Sequence, residues 1–188
     1  MRTAAAVLLL VTLSIALQGQ SIPPPRGMRV MTPRGPQAAA AEMAIKQAAE
    51  QLGNDKKMYD RDLEVLRHLR AADEALTDPM QPLTAVQKAY EEVGAAKALR
   101  PEFTTMQGVI KAHEELENAR RSPASADFVR LRAVIRSEAI APAVKVVARN
   151  GLRLQEETLA WLKVQEIIAT HLRTVAELTG DNLRAAQQ

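Results

Sequence analysis

Apolar residues recur at every seventh position along two long segments of this chain. In the first segment they are Ile45, Leu52, Tyr59 and Leu66, accompanied by Ala48, Leu69 and Leu76. Apolar side chains at this spacing, with companions three or four residues away, form one face of an α-helix. The recurrence keeps its phase through Gly53-Asn54 and stops before Pro79, which pushes the residue ahead of it out of the α region. The pattern predicts one long helix over about 37–77.

The second segment repeats this pattern near the end of the chain. Its seven-residue series is Ile140, Val147, Leu154, Trp161, Ile168 and Val175. The companion positions, each three residues after a member of this series, mix apolar and polar residues: Ala143, Asn150, Glu157, Val164, His171 and Leu178. This mixture disfavours a parallel dimer zipper and favours packing inside a bundle. The series predicts a helix over about 140–179 that continues through Gly151, is kinked or divided by Pro142, and stops at Gly180. Gly151→Ala should then stabilise the protein by up to about 1 kcal/mol.

Two shorter helices are predicted between the long ones. Thr84 and Gln87 have the spacing of a capping box after Pro82, which opens a helix to about Leu99. A second helix should start at Pro101 and end near Arg120. Its predicted buried face consists of Phe103, Met106, Val109 and Ile110. Ser122-Pro123 and Ser125 supply the next stop and start signals.

Composition supports an all-α fold. Good helix formers dominate the chain, and aromatic residues are only 3% of it. Cysteine is absent, so neither disulfides nor a cysteine-linked lipid anchor are available. The formal net charge of +3 comes from cations and anions mixed along the chain, which does not favour a nucleic-acid partner. We expect an elongated helical bundle, forming a single domain over 37–188.

The first residues have the pattern of a secretory signal. Arg2 precedes an apolar stretch from Ala4 to Leu17, and small residues Ser14 and Ala16 fit a cleavage site. The alternative, an uncleaved membrane anchor, needs about 17–25 apolar residues, and this stretch is shorter. We expect a signal peptide over 1–20, then a proline-rich, extended or disordered leader over 21–36, and a periplasmic or secreted location.

Residues that would carry chemistry are sparse. The three histidines, His68, His113 and His171, stand in different predicted helices without the Glu-x-x-His spacing of a di-iron bundle. No Gly-x-Ser-x-Gly turn and no glycine-rich phosphate loop occurs in the sequence. We therefore expect no metal, no cofactor and no enzymatic activity.

Two surfaces are candidates for binding. The first is the stripe of Leu154, Trp161, Ile168 and Val175, which is either core or a partner-binding face. The second is the basic row of Lys145, Arg149 and Arg153, which is either a binding face or an ordinary solvated one. These features predict an exported, soluble helical binding or scaffold protein of the cell envelope, using protein partners or self-association, with no stable membrane insertion. The alternative is a periplasmic holdase-like chaperone with a groove lined by Met43, Met58 and Met106.

The signal pattern makes the first testable prediction. The mature chain should begin between Leu17 and Ile22, because the apolar stretch and the small residues end there. Intact-mass analysis of the exported protein measures this directly. A mass that still includes Met1 would show an uncleaved anchor instead.

Overall fold

The computed structural model describes residues 36–77 and 80–186, and these are all-helical, without a β-strand. The helices are α1 (Pro36–Ala75), α2 (Pro82–Ala98), α3 (Phe103–Arg121), α4 (Phe128–Val134) and α5 (Ala141–Ala186). A 3-10 turn spans Pro123–Ser125, and a π-helical segment, Ile135–Ile140, joins α4 to α5. The all-α prediction is confirmed. The predicted signal peptide and leader lie outside the described residues, except for Pro36.

The chain divides into two compact units. The core unit is residues 54–154, and the helix-pair unit has the described segments 36–53 and 155–186. Helices α1 and α5 each contribute to both units, and both run without a break through their glycines, Gly53 and Gly151. The predicted continuity of the two long helices is therefore observed.

The interior of the core unit is built from small and aliphatic side chains. Buried positions on α1 recur at helical spacing. Helix α2 presents three alanines to the same interior, and α3 and α5 present one each: Ala85, Ala89, Ala96, Ala112 and Ala143. Small side chains let helix axes approach closely, so an apolar core can form from few aromatic residues. The fully buried members include Val65, Leu69, Leu76, Val86, Ala89, Val93, Ala96, Val109, Ala112, Leu116, Ile135 and Ala139.

Pro142 shapes the helix without dividing it. Proline has no N–H to donate to the carbonyl four residues back, which here belongs to Glu138. The backbone responds with the π-helical segment, in which the Ala141 N–H donates to the Arg136 carbonyl. The Glu138 carbonyl lies against Gly108 of α3, so closely that a Cβ at position 108 would overlap it. Of the two predicted effects of Pro142, a kink or a division, the division does not occur, because a widened turn accommodates the missing donor.

Several predicted helix ends are corrected by the structure. Gly180 does not stop α5, which continues to Ala186. Thr84 does not form a capping box: α2 begins at Pro82, its N-cap is Gln81, and no side chain caps it. Instead the Thr84 hydroxyl donates to Gln81 Oε1 at 3.4 Å. The cap of α4 is Asp127, whose carboxylate accepts from the Arg130 N–H at 3.0 Å.

Phe103 was predicted to lie on the buried face of α3, and that prediction is wrong. Its side chain is 75% exposed, because Phe103 is the first residue of the helix. Val109 is fully buried, whereas Met106 and Ile110 are half-buried. The buried face of α3 is completed by small residues that an apolar pattern does not highlight: Thr105, Gly108 and Ala112.

A tight connection joins α2 to α3 and positions Glu102. Arg100 has a φ of 52°, in the left-handed region that usually follows the end of a helix. Its N–H donates to the Lys97 carbonyl at 3.1 Å, and Pro101 then prevents α2 from continuing. Glu102 follows as the N-cap residue of α3.

The expected gain from Gly151→Ala is reduced by a neighbour in the core unit. A Cβ at Gly151 would lie 3.0 Å from Cε2 of Tyr59 and 3.5 Å from its hydroxyl oxygen. This is tighter than ordinary van der Waals contact, so the ring must shift before alanine fits. Better helix propensity at position 151 is therefore offset by crowding against Tyr59.

Two other helical glycines provide a sharper test. Gly108→Ala should destabilise the protein by about 1–3 kcal/mol, because the new methyl group would push α3 away from the Glu138 backbone. Gly53→Ala is the matched control and should stabilise by up to about 1 kcal/mol, since nothing lies within 4 Å of its Cβ position. Chemical denaturation measures both. Equal effects of the two substitutions would contradict the close approach at Gly108.

Candidate functional site

A buried polar network lies within the core unit where α1, α5 and the start of α3 meet. Asp62 and Asn150 are 3% and 4% exposed. The Asn150 side-chain amide donates to Asp62 Oδ2 at 2.7 Å and to Glu102 Oε1 at 3.2 Å. Asn150 therefore joins two carboxylates from different helices.

Arginines pair with the carboxylates of this region, and Arg61 of α1 lies 3.6 Å from Asp62 Oδ1. Arg149 Nη2 donates to both carboxylate oxygens of Glu102 at 2.6 Å. Arg153 Nη2 donates to Oδ1 of the buried Asp55 at 2.7 Å. Two members of the predicted basic row are thus engaged with carboxylates, while Lys145 is exposed.

The carboxylate of Glu102 in this network is held by hydrogen bonds from neighbouring side chains. Hydrogen bonding from Arg149 is the main cause that holds the pKa of Glu102 below its ordinary value; burial opposes it, and Asn150 and the nearby charges add to the lowering. A carboxylate held in its charged form and saturated by donors is a poor general base at neutral pH. The hydrogen bonds of the network join α1, α5 and the start of α3.

The predicted stripe on α5 passes from partial burial to exposure. Leu154, Trp161 and Ile168 are half-buried, and Val175 is 48% exposed. Val164, a companion of this stripe, is the one buried side chain among the described residues of the helix-pair unit. On the described part of α1 in that unit, the half-buried positions recur at helical spacing: Ala41, Ala44, Ile45, Ala48 and Leu52.

Beyond Ile168, large apolar side chains of α5 face solvent. Leu172, Val175 and Leu178 are 64%, 48% and 59% exposed. Three more exposed apolar residues of α5 in the helix-pair unit lie outside the seven-residue stripe: Leu159, Leu162 and Ile167. Among the described residues of the helix-pair unit, large apolar side chains on α5 are therefore more often exposed than buried.

The histidines are placed separately. His68 of α1 contacts Glu92 of α2, with Nδ1 and Oε2 2.6 Å apart. His113 stacks on Tyr90 with ring centroids 4.4 Å apart, and burial is the main cause that lowers the pKa of His113. His171 is exposed on α5. Over 36–77 and 80–186, no group of three potential ligands could hold a metal ion.

The methionines proposed for a chaperone groove are divided between the two units. Met43 is exposed in the helix-pair unit, whereas Met58 and Met106 are half-buried in the core unit. Among the helices of the described residues, none is both long and apolar enough to cross a membrane.

Sequence reasoning did not find the carboxylates of the polar network. Asp55 and Asp62 fall seven residues apart, in the same series as Leu69 and Leu76. Two acidic residues in a companion series that is otherwise apolar were a usable signal of a buried polar cluster. Asn150 occupies the corresponding companion series of the second long helix. A polar residue at that position indicated a hydrogen-bond partner for the buried carboxylates.

The network predicts a specific loss of stability. Asn150→Ala should destabilise by about 1–3 kcal/mol, because Asp62 keeps its burial but loses the amide that donates to it. Asn182→Ala, an exposed asparagine on the same helix, is the control and should change stability by less than about 0.5 kcal/mol. Urea denaturation compares the two. A result in which both variants match the parent would show that the Asp62–Asn150 contact contributes nothing.

Comparison of the chain with protein-family models, with curated proteins and with solved structures finds no match.

Proposed function

We propose that this chain is an exported helical binding protein of the cell envelope, which acts through protein–protein contacts on the exposed apolar face of α5. The observation that carries the proposal is the row of Leu172, Val175 and Leu178, each about half or more exposed. Contiguous apolar surface of this kind marks interaction sites in folded proteins.

The energetics favour a partner for this part of α5. Burying one leucine or valine side chain contributes about 1.5–3 kcal/mol relative to leaving it in water. Three neighbouring side chains therefore represent several kcal/mol that burial against a partner would supply. A helix whose only role was to complete the fold would place polar residues at these positions.

The two units differ in how they use apolar residues. The core unit buries an extensive cluster with fully buried members on α1, α2 and α3. In the helix-pair unit Val164 alone is buried among the described side chains. This contrast supports a division in which the core unit supplies folding stability and the helix-pair unit supplies the binding surface.

Binding is favoured over catalysis by the state of the polar groups. The densest polar constellation, around Asp62 and Asn150, is occupied by its own hydrogen bonds and ion pairs.

The export component of the proposal rests on the signal pattern over 1–20.

A matched pair of substitutions tests the proposal. Leu172 and Leu83 are both 64% exposed, but Leu83 lies on α2 in the core unit. Tagged protein is cross-linked in its own envelope and recovered as the parent, as Leu172→Asp and as Leu83→Asp. We expect a protein partner, either another polypeptide or a second copy, to be recovered in fixed ratio with the parent and Leu83→Asp. Its yield should fall at least about tenfold with Leu172→Asp.

Recovery of the same partner at equal yield from all three proteins would place binding elsewhere on the chain. Recovery of none would contradict the proposed function. Circular dichroism of the purified variants confirms that each is folded before the comparison is made.

A further inference from the structure

We propose that a second copy of this chain covers the distal seam of α5, defined as Ile168, His171, Leu172, Val175 and Leu178. This inference rests on the proposed function and names the partner. The resulting assembly is a homodimer in which the same seam of each copy faces the other.

The seam is a single continuous strip on one side of the helix. At about 100° per residue, its five positions fall within about 120° around the helix axis. Four of the five are aliphatic, and Leu172, Val175 and Leu178 are 64%, 48% and 59% exposed. The strip is wide enough for the knobs-into-holes packing by which helices pair.

Charge is excluded from this side of α5. The charged residues between positions 163 and 184 cluster within about 80° on the opposite side of the helix. They are Lys163, Glu166, Arg173, Glu177, Asp181 and Arg184. In a two-fold dimer the residues near the axis meet their own copies, so a charge placed there would face a like charge. A charge-free strip meets this requirement of self-pairing.

The distal seam also continues a seam that is already covered. Trp161 and Ile168 are half-buried and Val164 is buried in the helix-pair unit. The same seven-residue recurrence carries on to Val175 and Leu178, where the cover ends. The recurrence that is covered around Val164 therefore continues uncovered to Leu178. A helix fits this continuation, and in the proposed dimer that helix is α5 of the second copy.

Two other occupants fit the charge distribution less well. Helices that lie on a membrane surface carry an excess of lysine and arginine on their polar side. The polar side here has three cations (Lys163, Arg173, Arg184) and three anions (Glu166, Glu177, Asp181), so it has no such excess. The predicted leader carries three arginines among its prolines (Arg26, Arg29 and Arg34), and a charge-free seam offers them no partner.

Light scattering and sedimentation of the full chain test the proposal across a range of concentrations. We expect a concentration-dependent dimer whose dissociation constant rises at least about tenfold in Val175→Asp, because each copy then places a carboxylate in the apolar interface. Leu162→Asp is the control, since Leu162 is 56% exposed but lies outside the seam on the same helix. That variant should dimerise like the parent.

A second measurement guards against misfolding of the variants. The chain contains no cysteine, so Val175→Cys introduces a single thiol in the middle region of the seam. Mild oxidation should convert this variant into a disulfide-linked dimer, whereas Leu162→Cys should remain largely monomeric.

A monomeric parent at all concentrations overturns the proposal, as does a dimer that Val175→Asp leaves intact. A monomer whose melting temperature falls in Val175→Asp would identify the leader as the cover, and one that co-sediments with anionic lipid vesicles would identify a membrane surface. If the parent is monomeric but still loses a partner on Leu172→Asp, the proposed function stands and only the homodimer fails.

Discussion

The burial of Asp62 constrains how α1 and α5 pair in the core unit. A carboxylate that is 3% exposed must be satisfied by protein donors, because leaving it unpaired costs several kcal/mol. Arg61 on the same helix lies 3.6 Å from one oxygen of Asp62, and Asn150 supplies the donor from α5 to the other oxygen. Moving Asn150 by one position along α5 would rotate it by about 100° away from Asp62. An alanine-rich interior tolerates sliding of one helix along another, but this contact does not. The polar pair therefore defines the register that the apolar side chains alone leave open.

A second constraint comes from the small size of the interior side chains. With few aromatic residues to fill space, the helices must approach closely, and α3 meets the segment before α5 at Gly108, backbone against backbone. Pro142 makes this approach compatible with helical structure, since it removes the donor that would have bonded the Glu138 carbonyl. The widened turn before α5 and Gly108 on α3 thus together allow the two backbones to approach closely.

Periodicity predicted the helices well and their partners poorly. The seven-residue recurrence correctly carried both long helices through Gly53 and Gly151, because an unchanged phase requires unbroken helix. It did not identify Asp55 and Asp62 as buried, since hydropathy classes every carboxylate as surface. The exposure of Phe103 also escaped, because periodicity does not show that Phe103 is the first residue of α3. Pro142 indicated a missing donor but not the π-helical turn at Ile135–Ile140 that accommodates it. The local hydropathy pattern predicts which side of a helix is apolar, whereas tertiary contacts determine which element packs against that side.

The same side of α5 changes character along its length, and that change bears on specificity. In the core unit this side carries Asn150, whose buried amide donates to Asp62. That hydrogen bond forms in only one alignment of α5 with α1, so it fixes their pairing. In the distal seam the aliphatic residues set no such geometry, and His171 is the polar side chain among them. Apolar contacts supply association free energy without selecting a register, whereas a polar group in a seam selects one. In the proposed dimer, His171 is consequently the position at which the distal seam would distinguish one alignment of the second copy from another.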